Sequence, residues 1–161
     1  MKRAELQAEF DRLSYSLESI KNSIGETNDD VIASACLHLC VAICGSLEQN
    51  LKKILTAYAK SRSNNRIHRP IEKLCGAYQN PRTPKILELA ELFDKDFQRD
   101  LENRWNDEAS IERDHLNNLV DDRISIAHRK SHHISVSIIK LENYLRAYRQ
   151  LSTHFFDHFL S

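Results

Sequence analysis

Arg123 and His128 stand five residues apart in "LVDDRISIAH", and the arginine occupies a place where the helical pattern asks for an apolar residue. Successive residues of an α-helix turn by about 100°. With Leu116 at zero, Leu119, Val120, Ile124, Ile126 and Ala127 therefore fall within about 80° on either side, and Arg123 lies among them. Asp121, Asp122 and Ser125 take the opposite face. An unpaired buried charge is costly, so Arg123 must be paired, reach an edge, or face an interface. Glu48 shows the same misfit in an earlier helix. It shares a row with Leu37, Cys40, Cys44, Leu51 and Leu55, whereas Ser46, Gln49 and Lys53 are expected to point away. A carboxylate and a guanidinium, each on the apolar face of its helix, are natural partners. The other arrangement open to these residues pairs Glu48 with Lys52 one turn on and leaves Arg123 a structural salt-bridge residue.

His128 adds a group that can move a proton. On a continuous helix, residues five apart point about 140° away from each other, so Arg123 and His128 of one chain do not share a face unless the helix bends. A two-fold dimer would bring one Arg and one His from each chain into a single cleft. Arg grips two phosphate oxygens with its planar fork, and His, with an ordinary pKa of about 6.5, takes and returns a proton near neutral pH. Such a pair suits phosphodiester cleavage without a metal. Taken alone, a His closing a helix reads first as a C-cap favoured by the helix dipole.

Other reactive side chains read as structural. Cys36, Cys40 and Cys44 recur at every fourth position of "IASACLHLCVAICGSL", in one row of a helix apolar on nearly all sides, and are expected to be core thiols. Cys75 stands alone. His154 and His158 are also four apart, but "STHFFDHF" lacks the Glu of a metalloprotease pair and reads as a helix edge. No metal and no other cofactor is expected.

The elements that must position these groups are helices. Only three Gly and three Pro are spread over 161 residues, while Leu, Ala, Glu, Lys and Arg recur at helical spacing. This composition predicts an all-α fold with one core, a single domain over residues 1–161. Residues 3–24 carry Leu6, Phe10, Leu13, Leu17, Ile20 and Ile24 on one face, ended by Gly25. A second helix is predicted over 31–59, its first half the most buried element. "KSRSNNRIHRP" then reads as a loop. Short helices are expected around 70–78, 83–93 and 95–105, with Asp94 as a cap. Longer helices are predicted over 109–128 and 133–160.

Lys plus Arg and Asp plus Glu number 23 each, so no global basic field advertises nucleic-acid binding and any such site must be local. The amphipathic start "MKRAELQAEFDRL" has no apolar leader. No run approaches the roughly 18 uninterrupted apolar residues of a membrane span, so a cytoplasmic protein without membrane partners is expected.

The stretch "LVDDRISIAH", the central apolar helix ending in "SLEQNLKKIL", and a final helix soon after the His together resemble the HEPN superfamily, with the closest likeness to its RiboL-PSP-HEPN group. The likeness covers nearly the whole chain. It implies a bundle of four to five main helices with short extra ones, acting as a homodimer. It also implies a metal-independent endoribonuclease in a toxin–antitoxin or phage-defence setting, held in check by an antitoxin or another defence-system protein. By that resemblance Arg123 and His128 are the active pair and Glu48 supports them. The alternative within the family is a non-catalytic module that binds RNA or a protein partner. Two positions depart from the pattern of active members: Ile124 follows the Arg where a polar residue is common, and Arg129 follows the His where a small one is common. Lys130 stands where a Tyr marks members modified by a partner nucleotidyltransferase, so that form of control is not expected. With zero net charge, RNA would be held by local clusters: Arg129, Lys130, His132 and His133, with Arg62, Arg66 and Arg69.

Overall fold

The computed structural model describes residues 1–62, 65–107, 111–128 and 135–161, with the side chains of 65–68 left aside. Among the described residues there are seven helices and no strand: α1 (Arg3–Asn22), α2 (Asp29–Arg62), α3 (Asn65–Ala77), α4 (Thr83–Phe93), α5 (Lys95–Asn106), α6 (Glu112–His128) and α7 (Ile138–Leu160). The all-α expectation holds. The central element is α2, 34 residues and about 50 Å long. It packs against α1, α3, α6 and α7, while α7 also covers α1 and α6, and α4 joins α5 to α6.

The core follows from the apolar rows. Leu6, Phe10, Leu13, Leu17 and Ile20 of α1 are buried against Leu39, Cys40, Ile43, Leu47, Leu51 and Ile54 of α2 and against Tyr144, Tyr148, Leu151 and Phe155 of α7. Aromatic edges fill the far end, where Phe97 meets Phe155 and Phe159 at 5.0 Å between ring centres. By length and composition alone, α2 is apolar enough to cross a membrane, which corrects the expectation that no segment would be. Within the bundle its Cys36, Leu39, Cys40, Ile43, Cys44 and Leu47 are core residues.

Local signals set most helix ends. α1 stops where Gly25 takes φ +83°, a left-handed value that glycine adopts without strain. Asn28 accepts the N–H of Asp30 at 2.8 Å and caps α2. Asp94 accepts from the N–H groups of Asp96 and Phe97, as its place before α5 predicted. Those donors hold its carboxyl below the usual range, with His158 helping. Ser137 caps α7.

Two readings are corrected. Residues 60–70 are not one loop, since α2 continues to Arg62 and α3 starts at Asn65 with Pro70 inside it. The polar and basic side chains masked a helical row, on which Ile71 is half-buried and Cys75 fully so. Ser46 does not point to solvent: it is buried and donates to Glu9 Oε1 at 2.5 Å, joining α2 to α1.

Candidate active site

Leu116, Leu119 and Val120 seat α6 on the core with no exposure at all. Arg123, on the next turn of that face, lies half-buried at the core's edge. Across from it, α2 presents Cys44, Glu48 and Leu51. The turn between α3 and α4 fills the space between the two helices, and there Asn80 receives Arg123: Nη1 donates to Asn80 Oδ1 at 3.1 Å. The backbone N–H of Asn80 in turn donates to Glu48 Oε2 at 3.2 Å. Glu48 Oε1 accepts from Lys52 Nζ at 2.9 Å, and Lys52 also reaches the Gly76 carbonyl at 3.5 Å.

The expected direct pair of Glu48 and Arg123 is therefore replaced by a relay through Asn80. The reason is local. Lys52, one turn along α2, reaches the Glu48 carboxylate within its own helix, and the Asn80 turn occupies the gap. Both charges still act on one point, the Cys44 thiol. Burial pushes that thiol up to about 11, with Arg123 pulling it down and Glu48 pushing it further up. Tyr78 sits beside the same carboxylate. Its hydroxyl is buried without a hydrogen-bond partner among the described residues, and burial together with Glu48's charge drives its pKa upward.

The other nearby carboxylates are also engaged elsewhere. Asp121 pairs with Arg82. Asp122 accepts from Lys140 Nζ at 3.1 Å and from the Tyr144 hydroxyl at 2.7 Å. Glu48, Asp121 and Asp122 thus each have their own cation. Among the described residues, Arg123 has only a neutral amide as hydrogen-bond partner and no carboxylate in direct ion-pair contact.

His128 ends α6, exposed, and no hydrogen bond or ion pair links it to Arg123 or to any other described residue. Of the proposed RNA contacts, Arg62 lies over the Tyr58 ring at 5.8 Å and Arg69 is exposed on α3. The side chain of Arg66 and the whole of Arg129, Lys130, His132 and His133 lie outside the described residues. Cys36, Cys40, Cys44 and Cys75 are all buried free thiols. His158 Nε2 lies 3.0 Å from Asp94 and His154 Nε2 lies 3.4 Å from Asp100, with both rings against Phe97. Each histidine thus has its own carboxylate at the helix edge.

Sequence reasoning missed Asn80. The signal was present in "QNPRTP", an Asn–Pro step between two helices, where Asn marks a backbone that turns left-handed.

Searches of the curated proteins and of the solved structures returned no match to the chain. The RiboL-PSP-HEPN family matches residues 4–161, and a HEPN-type domain suggests a nuclease-like or RNA-related function. With nearly its whole length matched and Arg123 and Glu48 joined through one turn, this chain belongs to the RiboL-PSP-HEPN family.

Proposed function

We propose that the protein is a metal-independent endoribonuclease whose site is completed by a second copy of the chain, and that it serves as a toxin or defence effector under an antitoxin or similar partner. The observation that carries this reading is that Arg123, among the described residues, is held by a neutral amide and not by a carboxylate. A half-buried guanidinium held by a neutral amide, while Glu48, Asp121 and Asp122 each pair with another cation, suits an external anion, and an RNA phosphate supplies one. His128 lies on the same helix at its exposed end. A partner chain approaching the partly covered Ile124 and Ile126 and the exposed Ala127 would set the His of one copy near the Arg of the other.

The chemistry follows from the groups. One His128 takes the proton from the substrate's own 2′-hydroxyl. Arg123 and its dimer mate stabilise the charge that builds on the phosphorus oxygens, and the second His128 protonates the departing 5′-oxygen. Glu48 supports the site by anchoring the turn that receives Arg123. The test is cleavage of RNA by the purified protein in EDTA. The expected products end in a 2′,3′-cyclic phosphate and a 5′-hydroxyl, with DNA left intact. His128→Ala should lose about 10²- to 10⁴-fold in rate, the range for general acid–base work. A metal requirement, a 3′-hydroxyl product, or full activity in His128→Ala would overturn the mechanism.

A second reading has one observation in its favour: within a single chain His128 stands unlinked to Arg123. A chain that remains monomeric by light scattering at micromolar concentration would then be a binding module, with Arg123 holding RNA without cutting it.

A further inference from the structure

We infer that Asn80 is a positioning residue: it holds the Arg123 guanidinium in place for an incoming phosphate without neutralising it. Among the described residues Asn80 is the one non-glycine residue with positive φ, +55°. That conformation disfavours most side chains, and Asn is among those that accept it. It lets one residue face two ways. The backbone N–H turns to Glu48 on α2, and the side-chain carbonyl turns to Arg123 on α6.

The turn is itself fixed along α6. Thr83 donates through its N–H and its hydroxyl to Asn117 Oδ1, at 3.0 and 3.1 Å. Arg82 pairs with Asp121, and the Arg82 N–H closes back on the Asn80 carbonyl at 2.7 Å. Asn117, Asp121 and Arg123 thus receive Thr83, Arg82 and Asn80 in reverse chain order, and the buried Pro81 stiffens the step between the last two. The whole segment serves to place one amide oxygen.

The chemistry of that oxygen matters. A carboxylate at the same point would hold Arg123 equally well but would cancel the charge a phosphate needs. An amide is a neutral acceptor. It fixes one edge of the guanidinium and leaves the charge and the remaining N–H groups for a ligand. A side chain held before the substrate arrives need not be ordered in the reaction, which is how positioning residues raise kcat.

This inference rests on the ribonuclease reading for its kinetic arm only. The informative variant is Asn80→Gly, which accepts the positive φ, keeps the backbone N–H for Glu48 and removes only the amide. Its melting temperature should stay close to that of the parent. Its kcat on RNA should fall about 10- to 100-fold with KM nearly unchanged, the scale expected of a misplaced catalytic group. Placed on Arg123→Ala, it should cost nothing further, because the two act as one unit. A purely structural role would instead lower the melting temperature and multiply with Arg123→Ala.

The second arm needs no activity. In NMR spectra of the intact protein, the Arg123 side-chain N–H signals should show a guanidinium slowed in rotation in the parent and in Asn80→Asp, and freely averaging in Asn80→Gly. Equal averaging in parent and Asn80→Gly, or losses that multiply in the double variant, would overturn the inference. A parent that cuts no RNA but shows the slowed signal would sink the ribonuclease reading and leave Asn80's role standing.

Discussion

Lys52 holds Glu48 at 2.9 Å one helical turn away, with only 15% and 17% of the two side chains exposed. Exposed pairs of this spacing contribute little, about 0.3–0.5 kcal/mol, but this one is largely withdrawn from water and also anchors the Asn80 turn. Replacing Glu48 by Gln keeps an acceptor for the Asn80 N–H and strands the Lys52 ammonium. The expected loss is about 1.5–3 kcal/mol, the range for hydrogen bonds to charged groups. Lys52→Met should free the Glu48 carboxylate to compensate Arg123 and weaken RNA affinity. A double-mutant cycle by urea denaturation checks the pairing: the two losses should be clearly less than additive.

Asn50 and Tyr148 provide a second measure of the α2–α7 seam. Asn50 Nδ2 donates to the Tyr148 hydroxyl at 2.6 Å, and the residues are 2% and 0% exposed. Tyr148→Phe preserves the ring edge against Phe10 but leaves a buried amide N–H with no acceptor. It should cost about 1–3 kcal/mol, more than the bond itself contributes. The denaturation midpoint should fall with an unchanged slope. An unshifted midpoint would mean that Asn50 finds another acceptor.

How far the sequence disclosed this arrangement depended on periodicity. α1, α4, α5 and α7 were legible because Leu6–Phe10–Leu13–Leu17 and Leu141–Leu145–Tyr148 repeat at three and four, and Asp94 was legible as a cap because it directly precedes the amphipathic row of Phe97, Leu101 and Trp105. α3 was legible only in its second half, over 70–78, because Arg66, Arg69 and Pro70 obscure the start of its row. Arg123 and Glu48 stood out as charges on apolar faces. Asn80 did not, since its role lies in backbone handedness and in a partner 43 residues away, which no local pattern encodes. Lys52 was visible at the right spacing, yet only geometry decides between it and Arg123 for the same carboxylate.

The pH dependence of stability should carry a mark of His154. Burial lowers its pKa below the ordinary value, with Arg104 and His158 adding to the effect and Asp100 opposing it. The unfolded chain therefore binds a proton that the folded chain resists. The stability from the neutral ring is fully present above about pH 6.5 and is lost as pH falls through the lower folded value. Melting temperature measured from pH 7.5 to 5 should fall less steeply in His154→Gln than in the parent. Parallel curves would show that another group governs that range.

The basic residues either side of the α2–α3 junction offer a test of where RNA runs. Neutralising Arg62 and Arg69 together as Gln should weaken RNA binding at low salt and flatten its dependence on salt, since a phosphate that no longer meets a cation keeps its own counterion. Arg62 lies over Tyr58, so Arg62→Gln also gives up a cation–π interaction of about 0.5–1 kcal/mol. Thermal stability measured alongside separates that effect from the weaker RNA binding. Unchanged affinity and an unchanged salt slope would remove this segment from the path.

Arg123→Lys addresses the geometry of the site most directly, because it keeps the charge and changes only its shape. The guanidinium spends one edge on Asn80 Oδ1 and still has N–H groups in the same plane to meet two phosphate oxygens. A lysine ammonium is a single point with three rotating donors. It can bond the amide or approach the phosphate, but it cannot do both with fixed geometry. Folding should be unaffected, since the site is only half-buried and its acceptor is neutral. RNA affinity at low salt should stay within a few-fold of the parent, because long-range attraction depends on charge alone. Cleavage should drop by about 10²-fold or more, the scale seen when an oriented donor to the developing charge is removed. Affinity retained with cleavage abolished would separate orientation from attraction at Arg123, whereas full activity in Arg123→Lys would show that a positive charge alone suffices.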